Sequence, residues 1–367
     1  MIDAILSRAS EGERITADEA VHLYAAAPLA DLGAAAAAVA RRRHGDEVTY
    51  NVNAYLNPTN ICVVGCGFCA FAVWTERDPR AYAYSVDQLV DHAQAISDLG
   101  ITELHIVGGM TREYTLAYYE DLFRELKAAL PHVSLTALTA VEVEFIARMA
   151  GVTPREALER LMTAGHDSMP GGGAEVFSPR VRTIIADRKV PAEVWLEVHR
   201  DAHALGLPTN ATLLFGHFET PEEKVDHLMR LRALQDDGIA AGSAARFQAF
   251  IPLPFLPGNT DFSYLPGPSR DEKLRTIALS RLVLDNIPHI KGHWVMLGED
   301  ITQEGLSYGL DDLSGTLVEE RVAHATTVQT PLGLTQERIA ELIAEGGRTP
   351  VERNTTYARV HRDAVPA

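Results

Sequence analysis

Residues 62–69 read Cys62-Val63-Val64-Gly65-Cys66-Gly67-Phe68-Cys69 and contain every cysteine of the 367-residue chain. Three cysteines packed so closely cannot build a disulfide framework, and an odd number indicates reduced thiols. The spacing puts all three thiols on one short loop, where Gly65 and Gly67 give the backbone the freedom to wrap a small metal centre. The sequence therefore predicts a metal or cluster site with Cys62, Cys66 and Cys69 as its ligands.

The thiol set favours an iron–sulfur cluster over zinc. A four-iron cluster held by three thiolates keeps one iron without a protein ligand. That open iron can chelate the amino and carboxylate groups of S-adenosylmethionine (SAM), so that one electron releases an adenosyl radical. Structural zinc normally completes a tetrahedron with a fourth Cys or His, and the nearest histidines, His44 and His92, lie outside the loop. A zinc-stabilised binding protein and three merely structural cysteines are the alternatives.

The sequence around this loop predicts an α/β fold, a single TIM-type (β/α) barrel. From Thr49 onward, short apolar or β-branched runs alternate with longer amphipathic segments, which is typical of repeated β-α units. Residues 46–325 would form the barrel, residues 1–45 an N-terminal helical extension, and residues 326–367 a C-terminal helical extension and a polar tail. Eight strands, the number that closes such a barrel, are predicted at 49–55, 103–107, 133–138, 166–169, 208–215, 246–251, 292–296 and 307–310.

Composition narrows the class of partner. The formal net charge is -17, and the 33 Lys and Arg residues form no basic stripe, which argues against nucleic acid and anionic membranes. The chain starts without a basic region followed by an apolar run, and no stretch reaches the roughly 20 apolar residues that span a bilayer. We therefore expect a cytoplasmic protein with a small-molecule substrate.

Glycine-rich motifs follow two of the predicted strands, at the edge where β/α barrels carry their chemistry. Gly108 and Gly109 would let a ligand's ammonium group approach backbone carbonyls closely, although a Gly-Gly pair alone is more often an ordinary turn. The run from Ser168 to Glu175 contains three consecutive glycines. Ser168 and Glu175 could hydrogen-bond a ribose or an amino group, or the run could be a flexible turn with a solvated glutamate.

Two further strand ends carry polar candidates. His217 could hydrogen-bond or protonate a substrate oxygen, or be a satisfied structural histidine. Gln248 lies in an aromatic stretch that suits an aryl-bearing ligand, although core packing explains the phenylalanines equally well. His199 and His203 could form a metal pair on one helix face, but their position in the middle of a helix favours a solvated or packing role.

Together these motifs resemble the radical SAM enzymes of the futalosine and deazaflavin pathways, and the resemblance covers nearly the whole chain. Within this group they are most similar to the branch that makes 6-amino-6-deoxyfutalosine for menaquinone biosynthesis. There are two alternatives, the cyclic dehypoxanthinyl futalosine cyclase branch and a deazaflavin synthase component. In the cyclase branch we expect Ile in place of Met169 and no Asn210. The motifs that carry the resemblance are Ser168-Met169-Pro170-Gly171-Gly172-Gly173-Ala174-Glu175, Trp195-Leu196-Glu197-Val198-His199-Arg200, Thr209-Asn210-Ala211-Thr212 and Phe247-Gln248-Ala249-Phe250-Ile251-Pro252.

The resemblance implies a carbon–carbon bond-forming transferase with a [4Fe-4S] cluster and SAM as co-substrate. The adenosyl radical would add to the enol ether double bond of 3-[(1-carboxyvinyl)oxy]benzoate, with rearrangement and decarboxylation, and flavodoxin or ferredoxin would supply the electron. Because this substrate has two carboxylates, Arg182, His217 and Gln248 are the candidate catalytic and binding groups. Phe68 resembles the aromatic residue that packs near the SAM adenine.

Overall fold

The computed structural model describes residues 1–362; residues 363–367, the end of the predicted C-terminal extension, lie outside the described part. The α-helices are α1 Ile2–Glu11, α2 Ala17–Ala26, α3 Leu29–His44, α4 Val86–Ala95, α5 Leu116–Ala129, α6 Ala140–Ala150, α7 Pro154–Ala164, α8 Pro179–Ile185, α9 Ala192–Leu205, α10 Pro221–Ala240, α11 Arg270–Val283, α12 Trp294–Leu297, α13 Glu299–Gly305 and α14 Gln336–Glu345. The strands are β1 Glu47–Tyr50, β2 Asn53–Leu56, β3 Glu103–Ile106, β4 Ser134–Ala137, β5 Thr209–Phe215, β6 Phe247–Pro254, β7 His289–Gly292, β8 Asp312–Leu313 and β9 Thr349–Glu352.

The strands form a parallel barrel, which confirms the predicted fold class. One run of paired strands is β2-β3-β4 and the other is β5-β6-β7-β8-β1-β9. Ser168 pairs with Thr136 of β4, and the next residue, Met169, pairs with Thr209 of β5, so these two residues join the runs on one side. On the other side β1 leads directly into β2, and Val318, beyond β8, pairs with Ala54.

Several predicted strands differ from the observed ones. The strand predicted at 49–55 breaks into β1 and β2, and the one at 166–169 is reduced to two isolated bridges. The apolar run at 294–297 is a helical turn, and the strand lies before it at 289–292, where the sequence is polar. The segment at 307–310 begins as a 3₁₀ turn, with β8 following at Asp312. Periodicity failed here because a short apolar run does not distinguish a buried strand from a buried helical turn.

The helix starts agree closely with the sequence. The pattern of Ser or Thr followed three residues later by Glu or Gln predicts helix starts at Thr16, Ser85, Thr153 and Thr220. All four capping boxes are present, each with its side chain accepting from the backbone amide three residues later. None of the helices in residues 1–362 combines the length and the apolar character needed to cross a bilayer.

Two histidines flagged as a possible metal pair are core residues. His199 Nδ1 and His203 Nε2 lie 2.9 Å and 2.8 Å from the hydroxyl oxygen of Thr209, and both rings are buried. Trp195 and Phe247 pack against His199. Of the three interpretations of this pair, the structure supports the packing role, and the solvated role is wrong because both rings are buried.

The C-terminal segment belongs to the barrel rather than to a loose tail. β9 pairs in parallel with the whole of β1. Arg353, directly after β9, is buried against β8, where its guanidinium donates to Asp312 at 2.7 Å and 3.0 Å. The polar character of the sequence after Thr349 predicts a tail outside the core. That prediction is wrong for Arg353 and Thr355, because their polar groups find buried partners.

Candidate active site

A cavity of about 340 Å³ opens at the carboxyl ends of the barrel strands. Its wall includes all three cysteines, the loops after β3 and β4, and residues of β5, β6 and β7. Such a concave site at the carboxyl-terminal edge is where β/α barrels place their chemistry.

The cysteine loop turns its three thiols toward this cavity. Gly65 has φ 60° and packs under Trp74, so close that an added Cβ would lie 1.7 Å from the indole ring. Two backbone contacts hold the loop: Val63 N donates to Met110 O at 2.9 Å, and Gly67 N donates to Ile185 O at 3.0 Å. The loop is therefore fixed by its neighbours rather than by local sequence alone.

The donor set fits an iron–sulfur cluster. Burial raises the pKa of the Cys66 thiol to about 11 and also raises the pKa of Cys69. A bound cationic centre would displace these protons, because thiolates are the ligands that iron takes. Within residues 1–362 the three thiols form no disulfide, so all are free to act as ligands.

The glycine pair after β3 serves the cysteine loop directly. An added Cβ would lie 2.2 Å from Ile61 O at Gly109 and 2.9 Å from Thr59 O at Gly108. Only residues without a side chain allow this approach of one loop to the other. Both glycines also line the cavity, as the prediction of a cofactor-binding role requires.

Glu142 holds this glycine loop from the other side. Its carboxylate accepts from Gly108 N at 3.1 Å and from both the amide and the hydroxyl of Thr139 at 2.7 Å. It is buried and lines the cavity, and burial raises its pKa in spite of these hydrogen bonds. The capping-box pattern Thr139-x-x-Glu142 was a signal that sequence analysis overlooked.

A second charged group beside the cysteines is an ion pair. Lys189 Nζ lies 2.5 Å from Glu175 Oε1 and 5.1 Å from the centre of the Phe68 ring, and all three residues line the cavity. Although burial opposes it, the proximity of Cys66 and Glu175 raises the pKa of Lys189. Glu175 has φ 48°, a left-handed conformation that a non-glycine residue adopts at some energetic cost. Glu175 and Phe68 were predicted at the site, whereas Lys189 lies in a connecting segment and carried no sequence signal.

The structure places Ser168 and Arg182 behind the cavity wall. Ser168 is fully buried, and its hydroxyl donates to Pro208 O at 3.1 Å. The Arg182 guanidinium donates to Ala174 O at 2.7 Å and to Val190 O. Arg182 therefore fastens the glycine-rich loop instead of facing a ligand, since its donors are spent on backbone carbonyls.

His217 and Gln248 are also engaged away from the cavity wall. His217 Nδ1 accepts from Phe218 N at 2.7 Å, and Nε2 lies 3.0 Å from Leu214 O, so both ring nitrogens have partners. Gln248 Nε2 donates to Thr355 O at 3.2 Å. Neither of these polar groups reaches the cavity, because nearby backbone groups satisfy them.

The inner part of the cavity includes four polar residues, of which the sequence motifs contained only Asn210. Asn210, His105, Lys291 and His293 line it, each from a strand or the residue just after one. Asn210 Oδ1 and His293 Nδ1 are buried without a hydrogen-bond partner among residues 1–362. Such orphaned groups are costly unless a ligand satisfies them.

A parallel β/α barrel with three cysteines on the loop after β2 defines a radical SAM enzyme. Two family models agree: the Radical SAM superfamily matches residues 56–231, and the CofH/MqnC C-terminal region matches residues 244–365.

Similarity to individual proteins narrows the class. Aminodeoxyfutalosine synthase of Thermus thermophilus is 42% identical over 97% of this chain and 95% of its own length. The Streptomyces coelicolor enzyme of the same name is 41% identical over 97% and 94%, and cyclic dehypoxanthine futalosine synthase of that organism is 38% identical over 99% and 90%. The chain belongs to the aminodeoxyfutalosine synthase family of radical SAM enzymes, as its motifs predicted.

Solved structures agree at the level of the fold. The FeFe-hydrogenase maturase HydG from Carboxydothermus hydrogenoformans has a TM-score of 0.75 at 18% identity, covering 97% of this chain and 80% of its own. Methylornithine synthase (PylB) has a TM-score of 0.70 at 14% identity, covering 94% and 97%. The family uses a [4Fe-4S] cluster and SAM, so the zinc-stabilised binding protein is set aside.

Proposed function

We propose that the enzyme joins the adenosyl group of SAM to the enol ether double bond of 3-[(1-carboxyvinyl)oxy]benzoate. Rearrangement and loss of carbon dioxide or bicarbonate would give 6-amino-6-deoxyfutalosine, an intermediate of menaquinone biosynthesis. The observation that carries the proposal is the 41–42% identity to two aminodeoxyfutalosine synthases over 97% of the chain. An apolar cavity wall that includes Leu214, Ile251 and Leu253 suits the aromatic ring.

In this proposal Cys62, Cys66 and Cys69 hold the [4Fe-4S] cluster. When bound, the cluster would supply the electron that cleaves SAM into methionine and the adenosyl radical, once a carrier such as flavodoxin or ferredoxin has reduced it. Because the nucleoside product is closed-shell, one electron and one proton would leave again as the product forms. The protein's part is positioning and exclusion of water. The cysteine loop and the loop of Gly108 and Gly109 form one wall of the cavity, because the two loops are in backbone contact.

The remaining predicted residues divide into two groups. Phe68, Gly108, Gly109 and Glu175 line the cavity beside the cysteines, and we propose them as SAM contacts. We propose that Arg182 acts indirectly, by fastening the loop that carries Glu175. Ser168, His217 and Gln248 do not line the cavity, and we propose no ligand contact for them.

Product analysis tests the reaction. Reduced enzyme incubated with SAM and the enolpyruvyl benzoate should convert both into one nucleoside that retains the adenosyl group, detected by liquid chromatography with mass spectrometry. A substrate labelled in the enolpyruvyl carboxylate should lose its label as carbon dioxide or bicarbonate. Free 5'-deoxyadenosine as the main product would contradict the proposal and favour hydrogen abstraction, the course expected for the cyclase branch.

Replacing Lys189 should change the reduction potential of the cluster without preventing its assembly. The ammonium group neighbours Cys66, and a cluster gains a negative charge on reduction, so Lys189→Met should lower the reduction potential by on the order of 50–100 mV. Lys189→Arg, which keeps the charge, is the matched control and should stay near wild type. The measurement is an anaerobic redox titration followed by electron paramagnetic resonance. Equal potentials in wild type and Lys189→Met would show that the charge does not act on the cluster.

A further inference from the structure

Three basic side chains meet at the inner end of the cavity, away from the cysteine loop. His105 lies within β3, Lys291 lies within β7, and His293 follows β7 directly. All three line the cavity. Burial is the main cause that lowers the pKa of each histidine to about 4, and the positive charge of Lys291 adds to it in both. Because all three side chains line one cavity, a single ligand in that cavity can meet them.

These groups retain unused hydrogen-bonding capacity. His293 Nδ1 is buried and has no partner among the described residues. Within the same residues the salt-bridge partner of Lys291 is Asp312, with Nζ 3.4 Å from Oδ2. That oxygen already accepts from Arg353 at 2.7 Å and from the hydroxyl of Tyr357 at 2.8 Å. Lys291 and His293 can thus donate to a ligand that brings its own oxygens.

Two carboxylates, Glu103 and Glu320, also line the inner end of the cavity, and both accept hydrogen bonds from neighbouring residues. Glu103 accepts from the hydroxyl of Thr355 at 2.8 Å. Glu320 accepts from Ala323 N at 2.8 Å and is paired with His324 Nδ1 at 2.8 Å. Both oxygens of Glu320 and one oxygen of Glu103 therefore have protein donors, and Lys291 and His293 are the donors available to an anion.

The position of Lys291, His293 and His105 in the cavity determines which part of a substrate they contact. The enol ether carbon must meet SAM beside the cysteine loop, at the mouth of the barrel, so the aromatic ring extends inward. Tyr55, stacked on His105 with ring centres 4.4 Å apart, and Leu253 give that inner part apolar walls. A carboxylate on the far side of the ring would then lie at the basic end, where charged hydrogen bonds are strong because water is scarce.

We infer that Lys291, His293 and His105 form the subsite that binds the ring carboxylate of the aryl enolpyruvyl substrate. The inference rests on the proposed function and assigns three substrate-binding residues to it. It also makes the enzyme selective for aryl substrates that carry this second carboxylate, because an uncharged ring would leave the free hydrogen-bonding capacity of Lys291 and His293 unused.

Calorimetry on the SAM-bound holoenzyme, without reductant so that no turnover occurs, tests the subsite with two probes. One is 3-[(1-carboxyvinyl)oxy]benzoate and the other is 2-phenoxyacrylate, which lacks the ring carboxylate. Lys291→Met should weaken the dicarboxylate roughly 10- to 100-fold and leave phenoxyacrylate nearly unchanged, since one charged hydrogen-bond partner is lost. His293→Gln, which keeps the Asp312 pair intact, should weaken the dicarboxylate selectively by a smaller factor.

His324→Gln is the matched control, because His324 touches Glu320 but does not line the cavity. An equal loss of affinity for both probes, or no loss for either, in both Lys291→Met and His293→Gln would overturn the subsite. The proposed reaction fails separately: wild-type enzyme that discriminates between the probes yet forms no nucleoside product would refute the reaction and leave the subsite standing.

Discussion

Cys66→Ala is expected to abolish cluster assembly while the barrel stays folded. Two thiolates hold a four-iron cluster poorly, so iron should fall from about four per chain to near background, and the visible absorption should disappear. The fold should survive because Cys66 is only partly buried and its loop is fixed through backbone contacts of Val63 and Gly67. Iron analysis, visible absorption and far-ultraviolet circular dichroism of anaerobically purified protein measure the two effects.

Val63→Ala is the control for this loop. Val63 is 43% exposed and anchors the loop through its amide, so the variant should keep both cluster and turnover. Turnover by Cys66→Ala at the wild-type rate would refute the ligand role of Cys66. Loss of helical signal in Cys66→Ala but not in Val63→Ala would instead mean that the thiol is needed for folding.

The features predicted correctly from sequence are those that depend on local chemistry. The cysteine spacing defines its own loop, and each capping box needs only two residues three apart, as at Thr153 and Glu156. The barrel followed from repeated alternation of strand and helix patterns. The position of β7 was predicted wrongly because this strand contains two polar residues, His289 and Lys291. Their side chains have partners inside the protein, so the strand is buried although its sequence is not apolar.

The predicted site residues that lie outside the cavity wall have partners distant in the chain. Gln248 looked available in an aromatic stretch, yet its amide donates to Thr355, 107 residues away. Gln248 also falls at a register shift, since Phe247 pairs with Thr209 and Ala249 with Asn210. The direction of a strand side chain changes with one such shift, and no local pattern announces it.

The same reasoning explains why Lys189 was missed. It lies between α8 and α9, away from the strand ends, and approaches the cavity because the segment folds back over Phe68. Its partner Glu175 was found because it closes a glycine-rich run. A charged pair is recognisable from sequence only when both members sit in motifs.

Asp312→Asn is expected to cause the largest loss of stability, because it removes the anion from a buried charge network that joins the C-terminal segment to the barrel. Asp312 is fully buried and accepts from Arg353, from Tyr357 and from the Thr49 hydroxyl at 2.7 Å. Although burial opposes it, the positive charges of Arg353 and Lys291 lower the pKa of Asp312. The neutral amide would strand both cations, which costs about 3–5 kcal/mol in buried pairs.

Urea unfolding of anaerobically purified protein measures this loss, with Asp46→Asn as the matched control. Asp46 lies just before β1 and pairs with Arg41 at 3.5 Å in solvent, where an ion pair contributes about 0–1 kcal/mol. Adding Arg353→Met to Asp312→Asn should cost less than the sum of the two single changes, because the second change removes one of the stranded charges. If Asp312→Asn unfolds at the same urea concentration as Asp46→Asn, the network does not hold β9 to the barrel. A large loss in Asp312→Asn, with a double variant that costs less than the sum of the two single changes, would establish that the C-terminal segment is a structural part of the barrel, held there by charge as well as by its pairing with β1.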